Sequence, residues 1–207
     1  MTSKSVLPRL YPILDASCFH DDHALFQFAE DLLAAGATLL QYRNKQGSAR
    51  QMLSHARELR RIAGNRARLI MNDRADLCLA ADFHGVHVGQ DDLLPEAVRR
   101  IVGNGLWVGV STHNPEQLRE VESTDADYVA IGPVFVTSSQ ANPDPVVGVE
   151  GVRAARSMTR KPLVAIGGIT RANARSVIEA GADSVAVISD LVREPRRAVM
   201  EFDVLLR

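Results

Sequence analysis

Residues 68–92, RLIMNDRADLCLAADFHGVHVGQDD, hold the unit from which the chain is built. The run 68–72 reads as a strand, 75–81 as a short helix and 85–89 as a second strand. Each strand is short and continuous, as parallel strands buried on both faces are. Each also runs into polar residues, Asn72–Asp73 after the first and Gln90–Asp91–Asp92 after the second. Working outward, the same pattern predicts strands at 10–15, 38–43, 107–111, 128–131, 163–166 and 184–188. Their ends carry Gln41–Tyr42–Arg43, Ser111–Thr112–His113, Gly167–Gly168 and Ser189. Helices are predicted from about Asp22 to a left-handed cap at Gly36, over 48–63, after Pro95, after an Asn114 cap with Pro115 at the first helical position, over 149–158, from near Arg171 and over 194–206.

Eight such βα units with no linker predict an α/β protein, a single (β/α)8 TIM barrel over residues 1–207, with a doubly wound sheet as the alternative. In the barrel every strand's C-terminal end opens onto one rim, where the active site sits. Chemistry at the end of strand after strand therefore converges on one pocket, which points to an enzyme. Residues 136–147, VTSSQANPDPVV, are polar, broken by proline and longer than the ~2–6 residues usual for a βα loop. Leaving a strand on the active rim, they read as a lid.

Composition narrows the partners. Lys plus Arg number 24 against 25 Asp plus Glu, so no global charge attracts nucleic acid or an anionic membrane. Any bound anion needs a local arrangement of charges. Cys18 and Cys78 form no CxxC pair, which argues against a disulfide framework or zinc knuckle and for a reducing cytoplasm. No stretch approaches the ~18 apolar residues of a membrane span. A homo-oligomer is allowed and not required.

The strand ends supply the chemistry. Asp73 and Asp92 follow adjacent strands, and two carboxylates with open positions suit Mg2+, which keeps water and phosphate oxygens among its ligands. Each could instead cap its following helix. Arg43 and Lys45 leave the neighbouring strand, either in rim salt bridges or ready for the phosphate oxygens of a magnesium–pyrophosphate ligand. Gln41 and Asn72 add amides able to read the nitrogen edge of a heterocycle. Gln41 and Arg43 share one face of their strand. Gly167–Gly168 and Ser189 stand where barrels frequently bind phosphate through backbone N–H groups. His113 lies at a strand end, His87 within a strand as a core histidine, and His20, His23, His55 and His84 read as surface residues. None is assigned a catalytic role.

In order and in register, these segments resemble the thiamine phosphate synthase family. The resemblance rests on Gln41-Tyr42-Arg43-Asn44-Lys45, Asn72-Asp73, GVHVGQDD at 85–92, GVSTH at 109–113, DYVAIGPVF at 127–135, IGGI at 166–169 and GADSVAVIS at 181–189. It implies a barrel that condenses 4-amino-2-methyl-5-hydroxymethylpyrimidine diphosphate with thiazole phosphate, releasing pyrophosphate by a path in which bond breaking precedes bond making. It further implies Mg2+ on Asp73 and Asp92, and the pyrimidine diphosphate held by Gln41, Arg43, Lys45, Asn72 and Ser111. Of these, Arg43, Lys45 and Ser111 are implied to be catalytic. The thiazole phosphate would be held by Thr137, Ser138 and Ser139 of the lid with Gly168, Ile188 and Ser189. The family's lid usually reads Thr-x-[Ser/Thr]-Lys, whereas this chain has Gln140 where that lysine stands. The rivals are a thiazole tautomerase-like paralogue, whose class typically loses the second carboxylate, and a non-catalytic thiazole phosphate-binding barrel, which has no use for a metal pair.

Overall fold

Alternation along each strand decides what lies inside the barrel. In the computed structural model, which describes residues 7–137 and 144–207, the strands are β1 (Leu10–Asp15), β2 (Leu39–Arg43), β3 (Arg68–Asn72), β4 (Gly85–Val88), β5 (Trp107–Thr112), β6 (Tyr128–Ile131), β7 (Leu163–Ile166) and β8 (Ser184–Val187). Each pairs in parallel with the next, and Leu10 of β1 faces Val185 of β8 to close the ring. The expected (β/α)8 barrel is the observed one, and the doubly wound alternative falls.

Residues two apart along a strand share a face, so the chain builds two cores. Tyr11, Ile13, Leu39, Ile70, Tyr128, Ala130, Val164 and Ala186 fill the barrel. Leu14, Leu40, Met71, Val86, Val108, Val129, Ala165 and Val185 point outward to the helices. Those helices are α1 (Asp22–Ala34), α2 (Ala49–Ala63), α3 (Ala75–Ala80), α4 (Pro95–Val102), α5 (Pro115–Glu122), α6 (Gly148–Met158), α7 (Ala174–Glu179), α8 (Ser189–Val192) and α9 (Pro195–Leu205). Caps set their starts. Asp21 accepts from Ala24 N at 2.8 Å and Ser48 from Gln51 N at 3.2 Å. Asn114 accepts from Gln117 N at 2.9 Å, with Pro115 at the first helical position as expected. Among the described residues, no helix is long and apolar enough to cross a membrane.

Beyond single-residue shifts at element ends, three features depart from expectation. The helix expected near Arg171 begins at Ala174, because Asn173 first closes a turn by accepting from Thr170 N at 2.8 Å. The short α8 follows β8 directly and was not anticipated. His55 is buried rather than exposed: it sits on the inner stripe of α2, bonded to Tyr42 Oη at 2.8 Å and to Asp22 at 2.9 Å.

Candidate active site

The C-terminal ends of the strands enclose a cavity of about 940 Å³, the size class of small-molecule sites. Gln41, Arg43, Lys45, Asn72, Asp73, Asp92, Ser111, Thr137, Gly168, Ile188 and Ser189 all line it. Ser138, Ser139 and Gln140 lie outside the described residues.

The acidic centre begins with an unusual backbone. Asp73 has φ 62°, the left-handed region that non-glycine residues seldom adopt and that Asp tolerates best. Its N–H still bonds His87 O on β4 at 2.8 Å, so the residue is held to the sheet while the chain turns. Neither carboxylate is a helix cap. The α3 cap position is Arg74 and the α4 position Leu94, both without a side-chain cap bond, and Asp92 accepts from Gly89 N at 2.8 Å inside its own loop. Burial raises the Asp73 carboxyl above the ordinary carboxylate range. Lys45, hydrogen-bonded to it, pulls the other way, and Asp92, within hydrogen-bonding reach, adds to the rise. Like charges brought together in a half-buried mouth favour a cation between them. The donors are hard oxygens, as Mg2+ prefers. Among the described residues no group of three or more His, Cys, Asp or Glu side chains could hold a metal.

Both basic residues are paired. Arg43 forms a short ion pair with Asp15 at the end of β1, and Asp15 also accepts from Ser17 N at 3.0 Å and Ser17 Oγ at 2.7 Å. Asp15 is 3% exposed, so it holds the Arg43 guanidinium rigidly at the rim. Sequence reasoning missed it, although the polar-strand-end rule applied to β1 would have found it. The Lys45 side chain, bonded to Asp73, is 48% exposed. Asn72 Nδ2 is buried without a partner among the described residues. Such a donor costs free energy until a ligand accepts from it.

The floor is a chain of polar side chains in which Tyr11 and Tyr128 were missed from sequence. Gln41 Nε2 donates to Tyr11 Oη at 3.0 Å, and Tyr11 Oη lies 3.0 Å from Tyr128 Oη. Tyr128 Oη is 3.0 Å from His87 Nδ1, and His87 Nε2 is 2.8 Å from Ser111 Oγ. Burial pushes the His87 imidazole down to about 4, so it is neutral at physiological pH. Tyr128 fits only because residue 109 is glycine: a Cβ there would lie 2.0 Å from the Tyr128 ring.

The far side of the mouth is made of backbone. Gly167 and Gly168 have φ 98° and 63°, and Gly167 O accepts from Phe135 N at 3.0 Å, docking the loop after β6 onto the end of β7. A Cβ on Gly168 would meet Val136 O at 2.5 Å. The glycine is thus required by the approach of that loop as well as by its backbone angles. His113 Nδ1 donates to Gly132 O at 2.7 Å and lies 3.4 Å from Asp144, so it ties the end of β6 to the returning part of the 136–147 loop. Asp190 accepts from Arg171 N at 2.8 Å and pairs with its guanidinium, fixing α8 and Ser189 against the turn after β7.

The chain matches the family model described as thiamine monophosphate synthase over residues 10–191. It is 61% identical over 205 residues to a thiamine-phosphate synthase from Koribacter versatilis, covering 98% of this chain and 97% of that one. It is 44% identical to the enzyme of that name from Chloroflexus aurantiacus, covering 89% and 85%. Among solved structures, thiamine phosphate pyrophosphorylase from Pyrococcus furiosus superposes with a TM-score of 0.85 at 32% identity, covering 96% of this chain and 95% of that one. With a barrel whose mouth sets paired carboxylates opposite a glycine-built turn, and relatives matching from end to end, the chain belongs to the thiamine monophosphate synthase family.

Proposed function

We propose that this chain is a thiamine-phosphate synthase that joins 4-amino-2-methyl-5-hydroxymethylpyrimidine diphosphate to thiazole phosphate. The observation that carries the reading is the Asp73–Asp92 pair with Lys45 upon it, in the same cavity as the Gly167–Gly168 turn. A tautomerase or a thiazole-phosphate sensor has no need of that pair. Asp73 and Asp92 would hold Mg2+, which when bound neutralises charge on the diphosphate.

The remaining chemistry belongs to the chain's own residues. The bond between the pyrimidine methylene carbon and the diphosphate oxygen breaks, its electron pair leaving with pyrophosphate. Arg43, steadied by Asp15, and Lys45, released from Asp73, take the oxygens of that leaving group through charged hydrogen bonds. Asn72 Nδ2 supplies a further donor. Gln41 and Ser111 hold the aminopyrimidine, whose ring spreads the positive charge left on the methylene. The thiazole nitrogen then forms the new C–N bond, its position set by phosphate bound at Gly168, Ile188 and Ser189. Thr137 with Ser138 and Ser139 of the lid would hold this phosphate, Gln140 would face the pyrophosphate, and the lid would keep water from the cation. Cys18 and Cys78 are both free thiols, which suits a reducing cytoplasm.

The test is pyrophosphate release and thiamine phosphate formation from the two substrates, with Mg2+ and with chelator. Turnover that needs both substrates and the metal is expected. Isomerisation of the thiazole alone, or tight thiazole phosphate binding without turnover, would replace this reading by one of its rivals.

A further inference from the structure

Tyr128 is a hub in the barrel floor that the reaction scheme does not use. Its hydroxyl contacts Tyr11 Oη and His87 Nδ1, each at 3.0 Å. Its ring stacks on His87, with centroids 5.5 Å apart and planes at 26°. Tyr11 and His87 line the cavity, while Tyr128 sits beneath them in the space that Gly109 leaves.

A hydroxyl carries one proton, and a neutral imidazole carries one N–H and one acceptor nitrogen. These two rules propagate a direction along the chain. Tyr11 accepts from Gln41 Nε2, and Tyr128 Oη is the acceptor that remains for its own proton among the described residues. Tyr128 then donates to His87 Nδ1, which leaves the His87 proton on Nε2, facing Ser111 Oγ. Ser111 accepts from His87 and turns its own proton into the cavity. At the other end Gln41, having given its Nε2 to Tyr11, keeps its carbonyl oxygen for the cavity.

We propose that Tyr128 is a positioning residue that couples Gln41 to Ser111 and fixes the floor as one carbonyl acceptor and one hydroxyl donor. That pair is complementary to a heterocycle offering an exocyclic amino donor and a ring-nitrogen acceptor, and mismatched to its oxo counterpart, in which those roles are exchanged. This rests on the synthase reading for the identity of the heterocycle, but the direction of the relay stands without it.

The direction is tested by 15N NMR of the histidine-labelled full chain, with His87→Gln identifying the His87 signals. The wild type is expected to show the Nε2–H tautomer alone. Tyr128→Phe, which removes one oxygen, frees the ring to populate both tautomers. In the kinetic arm, Tyr128→Phe lowers kcat/KM for the pyrimidine diphosphate about tenfold and leaves the KM for thiazole phosphate unchanged, the size of one hydrogen bond lost from the transition state. If Tyr128→Phe does not fold, Tyr11→Phe cuts the same relay one bond earlier and is read in the same way. An Nδ1–H tautomer in the wild type, or an unaltered tautomer in the cut variants, overturns the proposal. A wild type that releases no pyrophosphate defeats the synthase reading, while the tautomer measurement still decides the relay.

Discussion

The two sides of the barrel mouth are built on different principles. Across β1 to β4 the rim is charged and the charges oppose one another: Arg43 against Asp15, Lys45 against Asp73, and Asp92 beside them. Across β7 to β8 the rim turns on glycine and backbone, with Gly167 and Gly168 in left-handed conformations and Ser189 opening an α8 that the Arg171–Asp190 pair locks in place. A side holding formal charges can exchange its ion pairs when a metal and a diphosphate arrive. A side made of peptide groups cannot rearrange, so it suits a ligand that must wait in one place. On the proposed function, the leaving group belongs to the first side and the nucleophile to the second.

The largest effect tests that assignment directly. Asp73→Asn and Asp92→Asn are each expected to lower turnover at least ~100-fold, the scale of losing a few kcal/mol of leaving-group stabilisation. KM for thiazole phosphate should stay near the wild-type value. Full activity of both variants in chelator-treated buffer would remove the metal from the charged side, and a matching rise in thiazole phosphate KM would dissolve the division between the sides.

His87 on β4 reaches Tyr128 on β6, so it joins the two sides beneath the cavity. Its pKa is pushed down to about 4 from an ordinary 6.5, chiefly by burial. The unfolded chain takes up this proton at higher pH than the folded one. The stability tied to His87 is therefore complete above about pH 6.5 and is lost as the pH falls toward 4, in full about 3 kcal/mol. Urea unfolding at pH 7 and pH 5 should show a drop of which about 2 kcal/mol disappears in His87→Gln. Equal drops in both proteins would mean that the floor does not hold this ring neutral.

On the backbone side, Gly168→Ala sharpens the comparison. An alanine at φ 63° costs about 1–2 kcal/mol, and its Cβ would press on Val136 O. The turn can relax only by leaving its place. KM for thiazole phosphate should rise about tenfold, with the pyrimidine diphosphate KM unchanged. A folded variant with both constants unchanged would put the thiazole phosphate elsewhere on the rim.

The charged side was largely legible in sequence because charges at strand ends announce themselves: Arg43, Lys45, Asp73 and Asp92 all face the cavity. What the sequence hid was conformation and partnership. Asp before a helix reads as a cap, and only the backbone, with φ 62° at Asp73, turns it toward the mouth. Asp15 obeyed the same strand-end rule and was overlooked as a strand terminus. Tyr11 and Tyr128 fall within predicted strands and are buried, but the relay they form depends on which strands face one another across the barrel, and no local pattern carries that. His55 was recoverable, since it shares the buried stripe of α2 with Ala56, Leu59, Ile62 and Ala63.

The smallest effect concerns Gln140, which lies outside the described residues and stands where the family pattern has lysine. An amide can still donate to a phosphate oxygen, but a charged hydrogen bond contributes ~1.5–3 kcal/mol against ~0.5–1.5 for a neutral one. The difference corresponds to roughly tenfold in rate or affinity. Lys161 cannot make it good, because its ammonium donates to Thr124 O and Ala126 O at 2.8 and 2.9 Å, on the segment leading into β6 at the opposite end of the barrel. If Arg43 and Lys45 with the metal carry the pyrophosphate, this chain works without the lid cation and gains from its return. Gln140→Lys is then expected to raise kcat/KM for the pyrimidine diphosphate by up to about an order of magnitude, with thiazole phosphate KM unchanged. A gain confined to thiazole phosphate would instead place residue 140 over the glycine side, serving the nucleophile rather than the leaving group.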